Sequence, residues 1–147
     1  MTENDLENRH LMVQKIEDQD LVEAEQLVEA YLDLATKHEK KSVRSHINHH
    51  GYTLMGLIKL QHGLVEEAKD LLIKSAQVSY SPAISTFGPS MRLAKALLEI
   101  EEKNIVLNYL DECKQFWYFF LRFVQLAKWK KAIKNGEMPD FKGNLFY

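Results

Sequence analysis

Apolar residues return every three or four positions along nearly the whole chain. No stretch alternates polar and apolar residues between turn signals, so the pattern predicts helices and no strand. Leu6, Arg9, Val13 and Ile16 mark a short first helix, Arg9 being the one polar member of the stripe. Asp20 is placed to cap a second helix, with Glu23 completing a capping box, and Leu21, Ala24, Val28, Tyr31 and Ala35 form its apolar face. That helix should end near His38, where KHEKK begins. Ser42 can cap a third helix reaching about His62, and Gly63 supplies the left-handed residue that commonly ends one. A fourth helix runs from Leu64 to about Gln77. The stretch SYSPAISTFGP is read as non-helical, and Pro89 suits the first turn of a fifth helix ending near Glu101. A sixth runs from about Asn104 through Cys113. A seventh ends near Asn135–Gly136, where Pro139 blocks continuation. The remaining EMPDFKGNLFY is too apolar for a solvated tail, so an ordered, extended segment is expected, anchored by Phe141 and Leu145 with Asp140 bonding nearby backbone.

Within this series residues 52–82 carry a recognisable spacing. Tyr52 precedes Met55-Gly56, Ala68 is followed by Leu72, and Pro82 closes the unit. Adding 38 maps Met55 to Leu93, Gly56 to Ala94, Leu60 to Leu98, Ala68 to Val106 and Leu72 to Leu110, each keeping its size class or nearly so. Subtracting 38 gives a partial match at Ala30 and Leu34. The spacing resembles the tetratricopeptide repeat. The resemblance implies an all-α fold of stacked antiparallel helical hairpins, about seven helices in all, with small residues such as Gly56 and Ala68 where paired helices approach. The expected organisation is a single domain over 1–147. Residues 1–41 form a degenerate helix pair, 42–118 two better hairpins, and 119–147 a capping helix and tail.

The C-terminal half carries a second pattern: Gly88, Pro89, Met91, Leu93, Ala94, Leu97, Leu98, Val106, Leu107, Tyr109, Cys113, Phe116 and Trp117, then Pro139, Asp140, Phe141, Asn144, Leu145 and Tyr147. With the histidine-containing helix before it, this resembles a family of small uncharacterised bacterial proteins over roughly residues 46–147. Lys142 stands where a glycine is expected. The resemblance implies the helical fold and brings no activity, cofactor or catalytic residue.

Composition changes this picture little. With 147 residues, 46% hydrophobic and 27% charged, the chain can bury a substantial core. Its charge is uneven: net −5 over residues 1–45, −2 over 46–113 and +5 over 114–147. The single Cys113 excludes an internal disulfide and a cysteine-rich zinc site. The opening MTENDLENRH lacks the basic and apolar regions of a secretory leader, which leads to the expectation of a cytoplasmic protein.

Candidate chemistry centres on HINHHGYTLMGLIKLQHG. His46 and His50 share a helix face with His49 beside it, but a metal site would need a further ligand, and the glutamate of a His-Glu-x-x-His motif is missing. A structural role for these imidazoles is expected instead, and a buried, inert state for Cys113. The run QFWYFFLRFVQLAKWKK is apolar nearly all round for two turns, so it is read as a capping helix with aromatics inward and lysines in solvent. Homodimerisation through those aromatics is a further option. It is too short, and broken by Arg122, to span a membrane.

These readings lead to a non-enzymatic protein- or peptide-binding module, with no cofactor, no metal, and neither nucleic acid nor membrane as partner. The contacts expected are the polar positions of the third and fifth helices: Asn48, His49, Tyr52, Arg92 and Lys95. One alternative is an immunity protein whose acidic N-terminal region occludes a basic toxin. Another is a metal-dependent enzyme using His46, His49 and His50.

Overall fold

The computed structural model describes residues 3–117 and 120–146, with the backbone alone at residues 3, 5–7, 120 and 121. In chain order the helices are α1 (Glu3–Glu17), α2 (Leu21–Lys37), α3 (Lys41–Gln61), α4 (Val65–Ala76), α5 (Pro82–Phe87), α6 (Arg92–Glu99), α7 (Lys103–Cys113) and α8 (Phe120–Lys134). A 3₁₀ turn follows at Lys142–Leu145, and there is no strand among the described residues.

One backbone device ends four of these helices. Gln19 (φ 60°), Gly63 (φ 76°), Glu101 (φ 63°) and Gly136 (φ 78°) all adopt the left-handed conformation. In each case the next N–H reaches back over the turn: Asp20 to Lys15 O, Leu64 to Lys59 O, Glu102 to Leu97 O and Glu137 to Ala132 O. These are Schellman caps, which satisfy carbonyls the helix would otherwise leave bare. The first three reverse the chain into the hairpins α1/α2, α3/α4 and α6/α7.

The caps also fix the repeat. Gly63 and Glu101 are 38 apart, the offset the apolar pattern predicts. Gln19 and Gly63 are 44 apart, so the first pair follows a different offset. Aligned on the turns, Ala24, Ala68 and Val106 are equivalent, as are Val28, Leu72 and Leu110, and all six are completely buried. The match at Ala30 and Leu34 is corrected accordingly, because both side chains are exposed. A constant offset carried backward rotates the register of α2 and turns those residues to solvent.

Stacking follows from shared helices. α3 packs on α4 within its hairpin, on α2 and α1 to one side, and on α6 to the other; α4 packs on α7. Two apolar cores result, one around Met12, Val28 and Ile58, the other around Leu72, Leu93 and Trp117, and Leu57 of α3 packs against both. The close approach at Gly56 lies between hairpins, not within one: a Cβ there would sit 2.2 Å from Leu93 Cδ2 of α6. Gly51 plays the same part toward α2, where a Cβ would meet Leu32 Cδ2 at 2.4 Å. Gln61 adds a polar tie, its side-chain N–H donating to Ile16 O at the end of α1.

Several local expectations change. SYSPAISTFGP contains α5, started by Pro82 in its first turn after an extended Ser81. Pro89 therefore precedes α6 instead of opening it, and Met91 is the N-cap. Asp20 sits at the N-cap of α2 but its carboxylate pairs with Lys15. Ser42 falls inside α3, which begins at Lys41. The aromatic run is not one helix: α7 stops at Cys113, and Phe116 and Trp117 lie buried in the connection before α8. Within α8, Leu126, Trp129 and Ile133 face inward while Phe123 and Val124 are exposed. Tyr118, Phe119 and Tyr147, and the side chain of Leu6, lie outside the described residues.

The tail folds back. Phe141 is buried, its ring centroid 5.2 Å from that of Trp129, and Trp129 Nε1–H donates to Asp140 O. The Asp140 carboxylate accepts the backbone N–H of Lys142. Leu145 is half-buried against the second core.

Candidate functional site

The histidines resolve first. His49 is completely buried on α3. Its Nδ1 lies 2.8 Å from Ser75 O at the end of α4, and its Nε2 accepts the Ser90 backbone N–H at 2.9 Å. Those partners require a neutral ring protonated on Nδ1, and burial lowers its pKa to about 4 despite the Ser75 carbonyl. His50 is buried beside it, and burial followed by the nearby His49, Arg9, His46 and Arg92 charges pushes it well below its ordinary value. The rings of His46 and His50 are in tilted contact, their centroids 4.6 Å apart and their planes at 59°. Among the described residues no three His, Cys, Asp or Glu side chains are grouped to hold a metal ion. Cys113 is fully buried and burial pushes its thiol up, the opposite of an activated nucleophile.

His49 belongs to a clamp on the loop Phe87–Met91. Tyr109 Oη donates to Ser90 O at 2.7 Å. Asn144 of the tail donates through Nδ2 to Phe87 O and Pro89 O, and its own carbonyl accepts the Met91 N–H at 2.8 Å. Gly88 holds φ 85° and ψ −175°, a region essentially restricted to glycine. A Cβ there would also meet Trp117 at 2.6 Å. Residues from α3, α7 and the tail thus converge on five residues of loop.

The five expected contacts do not share one surface. Arg92 and Lys95 line an open groove of about 460 Å³ between α1, α3 and α6, with Val13, Leu54, Leu57 and Ala96 among its apolar lining. His49 is interior, with both ring nitrogens engaged. Asn48 is half-buried and lies outside the groove lining. Tyr52 looks the other way, with Lys74 Nζ of α4 4.6 Å above its ring. The phase of α3 explains the split. His50, Leu54, Leu57 and Gln61 form the groove face, while Tyr52, Met55 and Lys59 turn toward α2 and α4.

The groove continues into a cavity of about 70 Å³, with which it shares Val13, Leu54, Arg92 and Phe146. Arg9, His10, His50, Thr53 and Ser90 complete the cavity wall. Arg92 is half-buried there. Burial lowers its pKa, Glu17 opposes that, and Arg9 adds a like-charge penalty. Arg9 was visible in the sequence as the one polar member of an apolar stripe, which is the signal that points to it. His50 stood out only as part of the histidine cluster, and Ser90 and Thr53 carried no mark at all. The opposite side of α3 bears a second groove of about 390 Å³, lined by Glu25, Glu29, Glu67 and Asp70 with Lys59 and Lys74 among them. No described helix is long and apolar enough to cross a membrane.

Neither a protein-family model, nor a curated protein, nor a solved structure matches this chain. The helical stack is therefore established by its own geometry.

Proposed function

We propose that the chain is a non-enzymatic protein-binding module that holds an extended peptide segment in the groove between α1, α3 and α6. The observation that carries this reading is the groove itself: an apolar floor with Arg92 and Lys95 on its lip, built from the first helices of the stacked hairpins. Such surfaces suit peptides because side chains fill the apolar floor while polar groups at the rim fix the register. Lys95 is half-exposed and only loosely paired with Glu99 at 3.8 Å, so it is available to an incoming acidic group.

The alternatives have weaker support. A basic toxin would meet the acidic groove, yet Lys59 already pairs with Glu25 there and Lys74 sits over Tyr52. A histidine-based enzyme needs accessible, convergent imidazoles, whereas His49 is enclosed with both ring nitrogens engaged.

Panning a random peptide library against the protein tests the groove. Enriched peptides should lose binding to Ala96→Trp, which fills the floor, and keep it with Asp70→Ala on the opposite face. Peptides that bind Ala96→Trp as well as the parent would overturn the reading. Thermal unfolding of both variants guards against a folding defect.

A further inference from the structure

We infer that the outer face of α8 docks into the acidic groove between α2 and α4 of a second copy of this chain. The inference is independent of the peptide reading of the groove between α1, α3 and α6. At about 100° per residue, Phe123, Val124, Ala127, Lys128, Lys131 and Lys134 fall within an arc of about 140° on α8. They lie opposite Leu126, Trp129 and Ile133, which face the core. All of them are exposed, Phe123 at 44% and Val124 at 46%. The face is thus apolar over its first half and basic over its second. Lys130 is tied to Asp111 off this face, whereas Lys128, Lys131 and Lys134 have no ion pair among the described residues.

Charge and shape select the occupant. The groove of about 390 Å³ is lined by the apolar Met55 and Leu71, by Glu25 and Glu29 of α2, and by Glu67 and Asp70 of α4. Lys59 engages Glu25 and Lys74 lies over Tyr52, while Glu29, Glu67 and Asp70 have no ion pair among the described residues. No residue of α8 lines this groove, and α8 packs chiefly on α7, so the chain's own helix does not fill it. With α8 of a second copy docked there, Phe123 and Val124 cover Met55 and Leu71. The three lysines, spread over about 9 Å of helix, reach carboxylates on both sides. The charges steer the two copies together and set the register, and the apolar patch adds buried area. The same asymmetry runs through the whole chain, net −5 over residues 1–45 and +5 over 114–147. Each copy therefore carries both complementary patches.

Sedimentation velocity over a concentration series reads the self-association. At about 50 mM salt the weight-average mass should rise with concentration, and at about 500 mM salt, where exposed charges are screened, it should fall back toward the monomer. The double variants Lys128→Glu/Lys131→Glu and Glu67→Lys/Asp70→Lys should each weaken association at least about tenfold, because each brings like charges together. An equimolar mixture of the two should associate again, since each supplies the charge the other lacks. Lys103→Glu, a charge reversal elsewhere on the surface, should associate as the parent does. Every substituted side chain is exposed, so all unfolding midpoints should stay close to the parent's. A parent that stays monomeric at low salt, association that high salt leaves unchanged, or a mixture no better than its separate components overturns the inference. So does a loss in Lys103→Glu as large as in the α8 variant. If the parent is monomeric but co-sediments with phosphatidylglycerol vesicles, and the α8 variant does not, the face is a membrane-docking surface and the inference falls.

Discussion

The backbone N–H of Ser90 donates to Nε2 of His49 at 2.9 Å, tying the interior of α3 to the loop that precedes α6. The same imidazole reaches Ser75 O, so one side chain joins three elements. Replacing it by a ring of similar size without polar atoms leaves a buried N–H with no partner. His49→Phe should therefore lower stability by roughly 2–4 kcal/mol, the scale of orphaned buried groups, measured by urea unfolding at pH 7.5. A loss within error of zero would show that the contacts contribute nothing.

The same residue sets a pH dependence. Its folded pKa of about 4 lies below the unfolded value near 6.5. Between those values the unfolded chain takes up a proton that the folded chain refuses. Stability is thus fully present above about pH 6.5 and is lost as pH falls toward 4, by about 3 kcal/mol if His49 acts alone. His50 is lowered in the same direction and steepens the loss. The lowered carboxylates of Asp20, Asp33 and Asp111 act only below their ordinary range, outside this window. Urea midpoints at several pH values between 7.5 and 4.5 should fall steadily, and His49→Phe should flatten the slope. A flat midpoint in the parent protein would contradict a buried neutral imidazole.

Gly56 offers a test of the stack. A Cβ at this position would sit 2.2 Å from Leu93 Cδ2, and Leu93 is completely buried with little freedom to turn away. Gly56→Ala should cost about 1–3 kcal/mol through overpacking, in spite of alanine's better helix propensity. Leu93→Ala alone should also be destabilising, but the double variant should be more stable than the sum of the two losses predicts. Strict additivity in chemical denaturation would place the two residues out of contact.

That pair shows how far the sequence could be read. The spacing of apolar and small residues carried the helices, their antiparallel pairing, and the offset linking Gly56, Ala68 and Leu72 to the second unit. It assigned Gly56 to the wrong neighbour, because periodicity says which face is small and not which helix covers it. The first pair went out of register for a related reason. Gln19 and Glu101 do a glycine's work at their turns, and nothing in their identity announces a left-handed backbone. The site was legible in part. Arg92 and Lys95 reach the groove, while Tyr52 points away from it, since it lies two positions before the groove residue Leu54 and therefore on nearly the opposite face of α3.

Glu101 makes a separate prediction. At φ 63° it occupies a conformation that costs a residue with a Cβ about 1–2 kcal/mol. Glu101→Gly removes that strain at the tip of the α6/α7 hairpin, offset in part by a freer unfolded chain. A net gain of about 0.5–1 kcal/mol is expected, raising the thermal midpoint by a few degrees. A lowered midpoint would mean that the acidic side chain contributes more than the turn conformation costs.

The tail closes the clamp on the loop before α6, and its contribution can be separated into two parts. Phe141 supplies apolar burial against Trp129, at 1% exposure. Asn144 supplies hydrogen bonds to Phe87, Pro89 and Met91. Phe141→Ala should destabilise globally by about 3–5 kcal/mol, as for other buried aromatics. Asn144→Ala removes only the side-chain bonds, leaving two loop carbonyls to find water, and should cost about 1–2 kcal/mol. The two variants should also differ in where protection is lost. In Asn144→Ala, hydrogen exchange should quicken at Ser90 and Met91 while the interior of α4 and α7 stays protected, since the loop opens without the core. In Phe141→Ala, exchange should quicken across the second core as well. If removing Asn144 leaves the Ser90 and Met91 amides as protected as before, the loop is held by His49 and Tyr109 alone, and the tail rests on the stack without fastening it.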